Sequence, residues 1–205
     1  MPGRVYQTQP MELLAKAAGC SVDPVADEPA RRNIAPGQSV VALTALGLQR
    51  MRWGMIPVGR INARGRPVME TIVNARSETV FDKTAFAGVR RAVLPVEGWY
   101  EWTGATRRKT AWRIRPSDGG FLWFAAVFDV WSAPGGQQLA QIATVTCEPN
   151  ADVVDIHHRM AVILDLADVE MWLSGSEAEV ARLMVPWPDG RLTVEPANDV
   201  DWGAD

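Results

Sequence analysis

The sequence predicts an α+β fold, a mostly antiparallel β core with helices at its periphery, and three observations carry that reading. From Arg91 to Thr146 five β-branched or aromatic runs succeed one another, parted by turn residues, which is how successively paired strands read. Helical patterns flank this block instead of alternating with it, as a parallel α/β sheet would require. The chain has 205 residues, 47% of them hydrophobic and 22% charged, the balance of a folded protein with room for a sizeable core.

The first predicted element is a helix over Pro10–Ala18. Pro10 suits its first turn, Met11, Leu13, Leu14 and Ala17 share one face, and Gly19 suits the residue past its end. Residues 21–39 are rich in Pro, Asp and Gly and read as loop. Val40–Leu43 and Leu46–Trp53 predict two short strands with a tight connection. Gly54–Pro67 is punctuated by Gly and Pro and reads as loop. Ile72-Val73 is a short apolar pair, and Ser77–Ala87 is a predicted helix stopped by Gly88. Strands are then expected at Arg91–Val96, Trp99–Thr103, Ala111–Arg115, Phe121–Trp131, Gln138–Thr146 and Ala161–Leu164. Two late helices follow, Asp165–Leu173 and Ser176–Met184, the second with Ser176 and Glu179 at capping-box spacing. A last strand is expected at Leu192–Glu195. With no repeat and no linker, one domain over 1–205 is expected, its core at about 2–198 and a polar tail at 199–205.

Several function classes are excluded. No apolar run approaches the ~20 residues that span a bilayer, and the first residues lack the basic-then-apolar pattern of a secretory signal. Cys20 and Cys147 lie far apart and outside CxxC spacing, which fits a reducing compartment. A cytoplasmic monomer is expected, associating with the nucleoid during DNA damage, with no membrane partner. No metal and no other cofactor is expected. GxGxxG, Walker, GxSxG and HExxH patterns are absent, and His157 and His158 are the only histidines. Net charge is −3, but residues 50–115 carry +9 and the remainder −12. That basic centre is mostly arginine, the better fork for phosphate oxygens. It reads either as one positive face for a polyanion or as arginines scattered over solvated strands.

Four stretches can carry chemistry. Met1-Pro2-Gly3-Arg4 opens with a small second residue, which favours removal of the initiator Met and leaves Pro2 with a secondary amine. An α-amino group titrates near ~7.7–8.0, so part of it is neutral and nucleophilic in a cell. Asn74-Ala75-Arg76-Ser77 places an amide and a guanidinium at a predicted strand-to-helix junction, where backbone N–H groups suit anions and Ser77 suits a helix cap. In Glu97-Gly98-Trp99-Tyr100-Glu101-Trp102 alternation puts Trp99 with Glu101 on one face. Glu101 either faces inward, where apolar surroundings raise its pKa for acid/base work, or sits in solvent on an edge. His157 in Ile156-His157-His158-Arg159-Met160 is a proton-transfer candidate or a histidine held by backbone. Nine tryptophans are present; most must pack the core, and Trp53 is the candidate for stacking on a base.

In order along the chain, Arg4, Asn33-Ile34-Ala35-Pro36-Gly37-Gln38, Trp53-Gly54-Met55-Ile56-Pro57, Asn74-Ala75-Arg76-Ser77-Glu78-Thr79, Arg91 to Trp102 and Ile156 to Leu164 resemble the SRAP domain of abasic-site processing proteins. The resemblance runs from the first residues to about Asn198. It implies a barrel-like β core and a groove for single-stranded DNA. Members begin Met-Cys-Gly-Arg, and the exposed Cys condenses through its amine and thiol with the abasic-site aldehyde to close a thiazolidine. By matched motif, Asn74 and Arg76 would line the site and bind the sugar-phosphate, and Arg4 would contact the backbone. Arg159 would be a further DNA contact. Glu101 would assist proton transfer, and His157 would act on the sugar ring oxygen and on reversal of the link. The partner implied is single-stranded DNA with abasic sites.

The chain departs from the pattern at Pro2, where the family has Cys, and less consequentially at Gly59, Trp99 and Ala161. A secondary amine adds to an aldehyde but gives an iminium cation, an electron sink beside the 2′ carbon. Proton loss there leads to β-elimination of the 3′ phosphate. The expectation is a transient crosslink with lyase activity. Two alternatives stand beside it: a non-catalytic module that only binds single-stranded or abasic DNA, and a peptidase-type hydrolase using Cys147 and His157.

Overall fold

The structure is a computed structural model and describes residues 2–57, 71–105, 107–132 and 135–203. In chain order its elements are β1 (Val5–Gln7), α1 (Met11–Ala18), β2 (Arg31–Ile34), β3 (Ser39–Thr44), β4 (Gly47–Trp53), β5 (Asn74–Arg76), β6 (Arg90–Val96), β7 (Gly98–Thr103), β8 (Thr110–Pro116), β9 (Leu122–Ser132), β10 (Gln138–Cys147), β11 (Met160–Ala161), β12 (Ile163–Leu164), α2 (Val169–Ser174), α3 (Glu177–Ala181) and β13 (Leu192–Pro196).

Five strands close a ring in the order β10, β4, β3, β6, β9 and back to β10. All pairings in the ring are antiparallel except β10 with β4. A closed sheet leaves no edge and encloses its apolar faces. The long strand β9 shows why its sequence is a continuous apolar run. Leu122 to Phe128 are all buried, because the ring lies on one face and other chain segments on the other. Beside the barrel lies an open antiparallel sheet in the order β13, β8, β7, β1, β2. Trp99 of β7 meets Phe124 of β9 edge-on, ring centroids 5.5 Å apart, and joins the two layers. The α+β fold with a barrel-like, mostly antiparallel core is what the sequence predicts.

Two polar side chains hold the first strand against the barrel. Gln7 is buried; its amide donates to the carbonyls of Val41 (2.9 Å) and Pro95 (2.7 Å) and accepts from the Val41 N–H (3.1 Å). Glu97, the single residue between β6 and β7, accepts from the backbone of Thr8 (2.7 Å) and Gln9 (2.8 Å) and from the Thr8 hydroxyl. The chain thus passes from barrel to open sheet at the residue that pins β1. Its neighbour Gly98 has no room for a side chain, since a Cβ would collide with the Ile114 carbonyl oxygen and the Tyr6 hydroxyl.

β5 continues the line of β4 along β10. Arg52 and Trp53 pair with Gln141 and Ile142, and Asn74 to Arg76 pair, also in parallel, with Thr144 to Thr146. The chain leaves the barrel after Trp53 and rejoins the same edge at Asn74. The N–H groups of Gly54 and Thr144 close the junction, bonding to Ile142 O (2.7 Å) and Val73 O (3.0 Å).

Several sequence expectations are corrected. Ser77–Ala87 is not a helix; it is a series of turns with one 3-10 turn at Thr84–Phe86. Its bonds run mostly over three residues, such as Thr79 N–H to Arg76 O at 3.0 Å. β-branched Thr79 and Val80 and turn-favouring Asp82 disfavour helix, and Val80 and Phe86 are drawn into the core. The junction after β5 therefore offers no helix N-terminus, and the Ser77 hydroxyl bonds Glu78 instead of capping. β2 arises inside the stretch 21–39 read as loop, and β1 and β5 are further short strands not expected. The helix expected at Asp165–Leu173 starts as a 3-10 turn and becomes α2. The one expected at Ser176–Met184 shortens to α3, with its capping box present. α1 begins after Pro10 and ends at Gly19 in the left-handed region (φ 66°). Most of the loop expected at Gly54–Pro67, including Gly59, lies outside the described residues.

Two variants test the anchoring. Gln7→Leu leaves three buried backbone groups without partners and is expected to destabilise by about 3 kcal/mol or more, at ~1–3 kcal/mol for each buried group unsatisfied. Gly98→Ala is expected to cost about 1–3 kcal/mol by overpacking. Denaturant midpoints against the unaltered chain measure both.

Candidate functional site

The register of β1 carries Pro2 to its place. The Tyr100 N–H bonds Arg4 O at 2.9 Å and Val5 pairs with Trp99. Continued one step, the register sets Gly3 opposite Glu101. Pro2 itself is buried. From the barrel side, the Asn74 amide donates to Pro2 O at 3.0 Å. The Asn74 carbonyl oxygen is buried and has no hydrogen-bond partner among the described residues. A buried acceptor left unpaired is costly in a structural role and is a common mark of a site awaiting a donor.

Glu101 faces inward. It shares a face with Trp99, which is fully buried, and is itself 5% exposed. Burial lifts its carboxyl to about 7. The Trp99 indole N–H opposes that rise by its proximity without closing a regular hydrogen bond. His157 shifts the other way, to about 4, by burial and by the neighbouring His158 ring, stacked on it at 4.3 Å. Its tautomer follows from one contact. The Arg159 backbone N–H lies 3.0 Å from Nδ1, and a backbone N–H can only donate. Nδ1 therefore accepts, and the ring proton sits on Nε2. The nearby Arg159 carbonyl, 3.1 Å from the same nitrogen, is then a close contact and not an acceptor. At neutral pH the site holds a carboxyl near half-protonation and a neutral imidazole that offers a hydrogen bond.

The predicted DNA contacts divide into two groups. Arg76 is exposed at the end of β5 and makes no ion pair among the described residues. Arg4 donates to the neutral Asn33 amide oxygen at 2.6 Å, so its orientation is fixed and its charge kept. Arg159 is different. It grips Glu78 with two nitrogens and the Thr146 carbonyl with one, and it holds the Glu78 carboxyl down at about 2. It thus clamps β10 to the turn after β5, and its guanidinium is shared with the half-exposed Glu78 carboxylate. The expectation that Trp53 stacks on a base is corrected. It is fully buried, at the barrel seam where β4 meets β10, and no base can reach it. Cys147 is buried and its thiol is pushed up to about 12, so a thiolate nucleophile is strongly opposed.

Three arginines of the basic centre are paired with acids of the remainder. Arg50 pairs with Asp27 and Glu28, Arg113 with Glu195 and Asp199, and Arg115 with Glu195. The structure adds residues the sequence did not single out: Gln7, Glu97 and Asn33, which place Pro2 and Arg4. Asn33 and Glu97 fall inside conspicuous motifs, but their roles depend on residues 29 and up to 89 positions away. No cluster of three or more His, Cys, Asp or Glu could hold a metal among the described residues, and none of their helices is long and apolar enough to cross a membrane. An open cavity of about 440 Å³ between α1, the β3–β4 turn and α2 shares no residue with this site.

Known proteins resemble the chain at both levels. A protein from Bacteroides thetaiotaomicron superposes with a TM-score of 0.84 at 22% identity, covering 96% of this chain and 92% of that one. A phage-related protein of Bordetella bronchiseptica does so with a TM-score of 0.69 at 22% identity, covering 96% of this chain and 94% of that one. Both show the fold alone. The abasic site processing protein YoaM of Bacillus subtilis is 33% identical over 150 residues, 69% of this chain and 65% of that protein. The abasic site processing protein HMCES of Mus musculus is 29% identical over 182 residues, 73% of this chain and 52% of that protein. The matched region thus spans somewhat less than two thirds of the first and about half of the second. The profile of the SOS response associated peptidase (SRAP) family matches residues 1–200, so with the motifs, the barrel and these relatives in agreement, the chain belongs to the SRAP family.

Proposed function

We propose that the protein processes abasic sites in single-stranded DNA by covalent attack of the Pro2 amine on the deoxyribose aldehyde. The observation that carries this reading is the Asn74 amide holding the buried Pro2 carbonyl, with an unpaired acceptor beside it. A proline fastened in this way, one residue before the position opposite the inward Glu101 carboxyl, is arranged for chemistry at its nitrogen. The names of the curated relatives supply the electrophile.

The steps balance without a cofactor. The neutral amine of Pro2, exposed by loss of Met1, adds to C1′. Glu101 in its acid form gives a proton to the departing hydroxyl, and water leaves to form an iminium cation. Its carboxylate then takes a proton from C2′, the electron pair moves toward C3′, and the C3′–O bond breaks with the phosphate as leaving group. His157 donates from Nε2 to the sugar oxygen. Arg76 and Arg4 hold phosphates, so binding weakens as salt rises. An abasic strand needs no base flipped out before the aldehyde is reached. Pro2 cannot close a thiazolidine, so the link is transient. The burial of Cys147 disfavours the hydrolase alternative, while a purely binding module remains the competing outcome of the experiment.

That experiment mixes the protein with a single-stranded oligonucleotide carrying one abasic site, with and without borohydride. A reduced adduct and a cut strand are expected, and both are lost when the N-terminus is acetylated. Binding without adduct or cleavage would leave only the binding module. Replacing Pro2→Cys is expected to convert the transient adduct into one that survives without reduction.

The pH profile supplies a further check. The amine must be deprotonated and Glu101 protonated for the first step, so trapping is expected to peak between about 7, the Glu101 value, and the ~7.7–8.0 of an amino terminus. His157, neutral down to about 4, adds no limb near neutrality. Glu101→Gln removes the alkaline limb and slows trapping ~10²–10⁴-fold. The same group sets a stability trend. Its folded pKa lies above the usual 4.5, so the folded state binds the proton more tightly, and stability present at low pH is lost as pH rises through about 7. Melting temperatures of the unaltered chain should fall over that window, and those of Glu101→Gln should not.

A further inference from the structure

On the outer face of the open sheet, away from the Trp99 and Glu101 side, Tyr100 and Trp102 of β7 stand beside Arg113 of β8. Tyr100 pairs in register with Arg113. The segment after β13 turns back across this face. The Ala197 N–H bonds Ala111 O at 2.9 Å. Asp199 pairs with Arg113 at 2.6 Å. The Asp201 carbonyl accepts from the Asn33 amide at 3.3 Å. The Trp202 ring meets Tyr100 at 5.0 Å, edge-on, and Trp102 at 5.1 Å. Asn33 is also the residue that orients Arg4, so the segment reaches the rim of the candidate site.

The chemistry of this segment resembles that of the ligand such a face takes. A single strand offers anionic groups interleaved with planar rings, and it is bound by aromatic platforms with flanking arginines. Asp199 presents an anion to Arg113, and Trp202 presents a ring to Tyr100 and Trp102. We propose that residues 199–203 are a built-in competitor for single-stranded nucleic acid, occupying the aromatic and arginine face until a strand displaces them. The hold is light enough to release. The Asp199 side chain is 63% exposed and Trp202 36% exposed, and an exposed ion pair contributes little. A closed segment reduces apparent affinity by the fraction of molecules open, so a strand must win the face from it.

This inference rests on the proposed function for the identity of the ligand, and the test separates the two. Anisotropy of a labelled oligothymidine without an abasic site is measured with the full chain, with the full-length double variant Asp199→Asn, Trp202→Ala, and with a chain ended at Asn198. Borohydride capture of an abasic oligonucleotide is followed in parallel. The altered chains are expected to bind about 3- to 30-fold more tightly, with capture at limiting protein raised in step and capture at saturating protein unchanged. Equal or weaker binding by the double variant, with capture intact, overturns the competitor and leaves the proposed function standing. Neither binding nor capture by any form overturns both. Should the shortened chain fold poorly, the double variant decides alone.

Discussion

The structure depends on how β1 is fastened. It is three residues long, too short to hold its position by ladder bonds alone, and lies between β7 and β2. Its position comes from two buried polar side chains, Gln7 reaching down to the strands β3 and β6, and Glu97 reaching up from their continuation into β7. Each replaces water on backbone groups that would otherwise be buried and unpaired. Because Glu97 sits at the crossing from barrel to open sheet, one carboxylate couples the relative placement of the layers to the path of residues 2–4. Asn74 then meets that path from β5, on the far side.

Desolvation divides the candidate site into complementary halves. The same burial that lifts Glu101 toward neutrality lowers His157 away from it, so one group can exchange a proton near pH 7 while the other stays neutral and offers only a hydrogen bond. Around them the arginines are sorted by partner. Those facing carboxylates, such as Arg159 and Arg115, have their charge met within the fold. Arg4 and Arg76, by contrast, form no ion pair among the described residues and keep their charge near Pro2. A net negative chain can therefore still present positive potential where it matters.

Legibility in the sequence followed the range of the interaction. The strands β6 to β10 were readable because long apolar runs with turn residues between them state their own pairing. α1 and α3 announced themselves through Pro10, Gly19 and the Ser176–Glu179 box. The short strands β1, β2 and β5 were not, since their formation is decided by distant partners. The stretch 77–87 misled because its apolar spacing suits a helix while its three-residue turns bury the same side chains. The fold class and the region of Pro2, Asn74, Glu101 and His157 could be anticipated from motifs. Glu101 facing inward could not, because alternation divides the strand into two faces without saying which is inside. Trp53 and Arg159 illustrate the same limit: a core indole and a surface indole read alike, and the Glu78 that claims Arg159 lies 81 residues away.

The way Asn74 reaches Pro2 has a wider consequence. That bond spans 72 positions, and the Glu97 clamp on Thr8 spans 89. No local fragment of the chain contains the candidate site, and no partly formed barrel can present it. Loop-closure entropy must be overcome several times before the first residues are seated. The arrangement around Pro2 is thus a property of the completed fold and vanishes as a unit with it, so a chain that has yet to finish folding holds its first residues in no fixed relation to Asn74 or Glu101.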